Sequence, residues 1–174
     1  MKKTISIIIS IAMCAMLASC GGVKNEVSDT EQPTLIDTMS LEEKVGQILF
    51  VRCVDDEQTD DLMSIKPGGI LMFGRDFEGL TKDEVKEKIQ SYQDKSDIPL
   101  IIGADEEGGT VVRVSSNPNL APEKFKSPQE IYNEGGMDAV VENATEKSEL
   151  LLSLGVNMNL APVADVSTNP SDYM

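Results

Sequence analysis

The chain contains no histidine and no tryptophan, has three cysteines, and carries half as many basic as acidic residues. Each shortage excludes something. Histidine is the commonest general base and metal ligand, so neither a Ser-His-Asp nor a Cys-His mechanism can be assembled from these 174 residues. The cysteines, Cys14, Cys20 and Cys53, are scattered and lack the paired spacing of a zinc site. Aromatics at 4% give no platform for stacking bases. Fifteen Lys and Arg against thirty Asp and Glu leave a net charge of −15, which repels nucleic acid and anionic lipid headgroups alike. No metal, no organic cofactor and no nucleic-acid partner is expected.

What is present supports a core: 40% of the residues are hydrophobic, in a length that suits one domain. The first residues have the layout of a processing segment. Lys2 and Lys3 form a positive end, and Ile5 to Leu17 is mostly apolar. That run is shorter than the roughly 20 residues a membrane span needs. Leu17-Ala18-Ser19-Cys20 then resembles the lipobox of bacterial lipoproteins. By that resemblance residues 1–19 are a signal peptide, Cys20 is lipidated, and the protein is exported and anchored to the extracytoplasmic face of the cell membrane. Residues 20–33 are polar and read as a tether. Cys53 is then left alone and is expected in the core.

From residue 34 onward strands and helices alternate. Ser40-Leu41-Glu42-Glu43 and Thr81-Lys82-Asp83-Glu84 are capping boxes that open helices, the second running to about Asp94. Asp60 to Ile65 reads as a helical turn. Ile48 to Cys53, Ile70 to Phe73, Leu100 to Ala104 and Val156 to Leu160 read as strands. Residues 114–136, with several prolines and glycines, read as a surface loop. Met137 to Leu154 reads as a helix with an apolar stripe of Val140, Ala144, Leu151 and Leu152, stopped by Gly155. Strand-helix alternation with short connections predicts a parallel α/β sheet with right-handed crossovers. The pattern leaves a doubly wound sheet and a barrel both open.

The densest segment is Leu100 to Arg113. An apolar strand ends in Asp105, Glu106 and Glu107, followed by Gly108-Gly109 and Arg113. Acids, a flexible turn and an arginine at a strand's carboxyl end are what α/β proteins use to build ligand sites. Gly108-Gly109 has neither the Walker nor the dinucleotide spacing.

Four motifs in order resemble glycoside hydrolase family 3. Leu41-Glu42-Glu43-Lys44-Val45-Gly46-Gln47 is similar to its opening helix, and Pro67-Gly68-Gly69-Ile70 to its second strand. Asp105 to Arg113 is similar to its sugar-binding D-x-E-G-G-x-V-x-R segment. Gly155 to Val166 is similar to its G-[VI]-N-x-N-x-A-P-V-x-D-V strand. The β-N-acetylhexosaminidase branch is the nearest. The resemblance implies that residues 34–174 are the amino-terminal half of a (β/α)8 TIM-type barrel, incomplete in this chain, since such barrels take about 250 residues. It implies Asp105 and Arg113 as substrate-binding residues and Glu107 as a residue holding its loop by hydrogen bonds. Asp165 stays open between direct substrate contact and a structural role, as a loop-capping carboxylate or a partner for Arg75 or Arg113. No catalytic residue is assigned here: the family's histidine acid/base and aspartate nucleophile fall downstream of Met174. The implied activity is a retaining, exo-acting release of terminal N-acetylglucosamine from a glycan, with the 174 residues alone inactive. A β-glucosidase or β-xylosidase of the same family, or a lipid-anchored sugar-binding protein without turnover, are the alternatives.

Overall fold

A computed structural model describes residues 34–164. The signal peptide, the tether, Cys20 and Asp165 lie outside the described residues. The chain runs α1 (Leu35–Thr38), α2 (Leu41–Gln47), β1 (Phe50–Arg52), α3 (Thr59–Ser64), β2 (Gly69–Met72), α4 (Gly74–Phe77), α5 (Lys82–Gln93), β3 (Ile101–Ala104), α6 (Pro128–Leu154) and β4 (Met158–Asn159). All strand pairs are parallel, and the sheet order β1-β2-β3-β4 is the chain order. A doubly wound sheet reverses its strand order at a switch point. A sheet that adds each strand on the same side is winding toward a barrel, and this is the first half of a (β/α)8 fold.

Strand alternation divides the sheet into two faces. Ile70 and Met72 of β2 pair in register with Ile102 and Ala104 of β3, and all four are fully buried. They meet Val85, Ile89 and Tyr92 of α5 and Leu151 and Leu154 of α6 in one cluster. Each fully buried aliphatic side chain contributes about 1.5–3 kcal/mol. Phe50, Leu71, Ile101 and Met158 alternate to the inner face. There, Gly69 and Gly103 make room for the Phe50 ring: a Cβ on either would meet it at 2.6 Å or less.

Local signals explain most boundaries. Ser40 and Thr81 each accept from the N3 amide while Glu43 and Glu84 reach back to the cap amide. Cys53 is buried, its Sγ 3.1 Å from the Tyr92 hydroxyl. Three expectations need correction. β1 is shorter than Ile48–Cys53, because Ile48 belongs to the end of α2 and stands in solvent. The predicted 114–136 loop is too long: α6 starts at Pro128, where Ser127 and Glu130 form a third capping box and Pro128 occupies a first-turn position that needs no amide. Gly136, at φ 68° and ψ −159°, is not helical, so α6 is two helical stretches that meet at a kink there, the second beginning at the expected Met137. The stripe of α6 is also rotated. Leu152 and Ala144 are exposed, whereas Lys147, Leu151 and Leu154 are buried.

The fourth strand is held as much by side chains as by backbone. Asn157 Oδ1 accepts from Ile102 N at 2.8 Å and its Nδ2 donates to Leu100 O at 3.2 Å. Asn159 repeats the device one pleat on, accepting from Glu106 N at 2.9 Å and donating to Glu106 O at 3.1 Å.

Candidate functional site

The carboxyl ends of the strands collect a row of side chains. Arg52 is the last residue of β1, Phe73 follows β2 and Asp105 follows β3. Arg113 returns to this edge: its Nη2 lies 3.4 Å from Asp105 Oδ2. The Arg113 guanidinium also stands over the Phe73 ring, 5.7 Å from its centroid, and Arg52 stands over the same ring at 4.7 Å. The two sequence-predicted site residues are therefore brought together. Both keep about a quarter of their side-chain surface. Arg113 Nε is buried and has no hydrogen-bond partner among the described residues.

The glycine turn makes this return possible. Gly108 and Gly109 have φ of 101° and 65°, a region other residues rarely enter. A Cβ on Gly108 would meet Lys126 O at 2.2 Å. Glu107 N and Gly108 N both donate to Val111 O, so the chain doubles back within five residues.

Glu106 fixes the backbone from Arg113 to Ser115. It is fully buried, and its carboxylate accepts from Arg113 N at 2.7 Å, Val114 N at 2.6 Å, Ser115 N at 3.3 Å and the Ser115 hydroxyl. The loop-holding role predicted for Glu107 thus belongs mainly to its neighbour. Glu107 has a different structural bond: its Oε2 accepts from Val163 N at 3.0 Å, tying the loop after β3 to the segment after β4. Its carbonyl accepts from Lys147 Nζ at 2.7 Å. Burial pushes the Lys147 ammonium below its ordinary pKa, and the charges of Glu106 and Glu107 oppose that shift. Strand parity could have separated the three acids. Ile102 and Ala104 face the helices, so Glu106 falls on the buried side and Asp105 on the inner one.

Arg75 is otherwise engaged, donating to Cys53 O at 3.2 Å and lying 3.7 Å from Asp76. Arg52 and Phe73 had no signal in composition or spacing; only the topology puts them beside Asp105. Chemically the row offers a carboxylate acceptor, guanidinium donors and an aromatic face. Among the described residues Glu106 is no candidate for the paired carboxylic groups of retaining hydrolysis, since it is saturated by four donors.

A barrel-winding parallel sheet with charged and aromatic groups at its carboxyl ends defines the class: the first half of a (β/α)8 domain. The profile of the glycosyl hydrolase family 3 N terminal domain matches residues 40–173, and the chain belongs to that family. Beta-hexosaminidase A of Pseudoalteromonas piscicida is 31% identical over 108 residues, covering 60% of this chain and 18% of that protein. A beta-hexosaminidase of Haemophilus influenzae is 23% identical over 113 residues, covering 65% of this chain and 32% of that protein. The chain thus spans from 18% to 32% of the length of these relatives. The solved structure of a glycoside hydrolase family 3 beta-N-acetylglucosaminidase from Paenibacillus sp. str. FPU-7 superposes with a TM-score of 0.62 at 26% identity, over 71% of this chain and 24% of that one. A family 3 member from Mycobacterium smegmatis shares the fold with a TM-score of 0.63 at 23% identity, over 78% and 39% of the two chains.

Proposed function

We propose that this chain is the sugar-binding half of a retaining, exo-acting β-N-acetylhexosaminidase that removes terminal N-acetylglucosamine from a glycan. The observation that carries the reading is the Asp105–Arg113 pair at the carboxyl ends of the strands. An ionised carboxylate accepts from two vicinal hydroxyls, and a guanidinium donates to ring or carbonyl oxygens. Pairing holds both groups in place before the sugar arrives, which reduces the ordering cost of binding. The hexosaminidases and the acetylglucosaminidase among the relatives support the choice of sugar. In this reading the 174 residues bind and orient the sugar, and, holding no histidine, they do not include the histidine acid/base that the family resemblance implies. Hydrolysis is a property of the complete gene product, and these residues by themselves turn over no chromogenic glycoside.

In the same proposal residues 1–19 direct export and Cys20 carries the lipid that holds the enzyme on the outer side of the membrane. Each buried methylene of such a chain contributes about 0.8 kcal/mol. Cys20→Ala should move the protein from the membrane fraction to the soluble one. The sugar assignment is tested on an aryl N-acetylglucosaminide: Asp105→Ala in the complete gene product should raise KM strongly and lower kcat/KM, and unchanged kinetics would refute it.

A further inference from the structure

Three arginines stand at or next to the row of strand ends, and two are neutralised. Arg113 lies 3.4 Å from Asp105, and Arg75 lies 3.7 Å from Asp76. Arg52 has no carboxylate within ion-pair distance among the described residues, in a chain of net charge −15 that offers two acids for every base. An unpaired guanidinium in so acidic a protein is not a matter of supply.

Arg52 is exposed but anchored. It projects from the last position of β1 on the inner face, in register with Leu71 of β2, and its guanidinium is seated over Phe73 at 4.7 Å. A cation seated on an aromatic face is held there by the ring quadrupole. No group among the described residues accepts a hydrogen bond from this guanidinium, so its N–H groups, a fork matched to a carboxylate, are open to a ligand. Phe73 also carries Arg113, so one ring links the unpaired fork to the pair proposed to hold the sugar. β1 and β3 are two strand spacings apart, about 10 Å. With the two guanidinium groups 4.7 and 5.7 Å from the Phe73 centroid, a glycan residue adjoining the one gripped by Asp105 and Arg113 is within reach of Arg52.

We propose that Arg52 is a specificity-determining residue that recognises a carboxylate on the sugar adjoining the one held by Asp105 and Arg113. The proposal rests on the carbohydrate-binding role of that pair and adds to it the charge of the preferred substrate. The test uses the complete gene product and two matched disaccharides, N-acetylglucosamine β-linked to glucose and to glucuronate. The quantity read is the ratio of kcat/KM on the acidic substrate to that on the neutral one. In the unmodified enzyme this ratio should exceed one and fall as salt is added, since an exposed ion pair is screened. Arg52→Gln should lower the ratio at least tenfold, and Arg52→Lys, which keeps the charge but not the fork, should give an intermediate value. A ratio unchanged by Arg52→Gln would overturn the proposal, whether both rates fall together or neither moves; a joint fall would make Arg52 a support for Phe73 and Arg113. Failure of the unmodified enzyme to cleave either disaccharide or an aryl N-acetylglucosaminide would bring down the functional reading and this proposal with it. Cleavage of both disaccharides with a ratio at or below one would bring down this proposal alone.

Discussion

On the helix-facing side of the sheet Ile70, Met72, Ile102 and Ala104 have no exposed surface, while on the inner side Phe50 and Ile101 keep 37% and 41% of theirs. The consecutive acids Glu106 and Asp105 continue the same division past the end of β3. Glu106 lies on the sealed side, with backbone amides and a hydroxyl on its oxygens. Asp105 lies on the inner side with one long ion pair and part of its carboxylate free. The two faces therefore carry different duties. Stability is concentrated on one and the groups proposed to read the sugar on the other, and alternate residues of the same strand serve each.

Substitutions that strike one face and spare the other test this division. The largest effect is expected at Glu106. Glu106→Ala strands three backbone amides in the interior, each costing about 1–3 kcal/mol, so chemical denaturation should register a loss of about 4 kcal/mol or more. Next is a matched pair within β3. Ile102→Ala should cost about 3 kcal/mol, as buried isoleucine truncations do, and Ile101→Ala less than about 1 kcal/mol. Equal losses would erase the distinction between the faces. Asp105→Ala should leave stability within about 0.5 kcal/mol, in line with a partly exposed ion pair, while kcat/KM of the complete gene product falls roughly a hundredfold, about 2.7 kcal/mol of transition-state binding. A smaller change is expected away from both faces: Ser127→Ala should cost about 1 kcal/mol by removing the cap of α6.

The smallest effect concerns pH. Glu84 and Glu130 are held below the ordinary carboxylate pKa, chiefly by the cap amides of Thr81 and Ser127, and Glu43 chiefly by the Lys66 ammonium. A lowered folded-state pKa means that the unfolded chain binds more protons in that window. The capping contribution should be complete above the ordinary value of about 4.3 and fade as the pH falls through the lowered ones. Thermal melts from neutral to acid pH would show it, and the slope should flatten when Glu84 and Glu130 are both replaced by Gln.

Much of this architecture is legible in the sequence, for reasons that can be named. Apolar runs with turn residues between them announce four strands, and two capping boxes place the starts of α2 and α5. The third box, Ser127-Pro128-Gln129-Glu130, is obscured by the prolines and glycines around it, which suit a loop equally well. Lys147 is not foreseeable as a buried residue, because its burial depends on a carbonyl forty positions away. In the site, Asp105 and Arg113 are legible from their motif. The contribution of Phe73 and Arg52 is not, since three strands must first lie side by side before one ring can meet two guanidinium groups. The doubly wound alternative is dismissed only by the strand order.

The twin asparagines of β4 have a consequence for how the next segment of chain is aimed. Only two residues of that strand pair by backbone, a contact too brief to resist slipping by a step. Asn157 and Asn159 act as two teeth engaging successive notches along β3 and its flanking residues, at Leu100 and Ile102 and then at Glu106. A slip of one position would disengage both teeth and swing Ala161, Pro162 and Val163 away from the Glu107 carboxylate. Two amides so spaced are a vernier: they set where the chain emerges beyond β4 to within a single pleat.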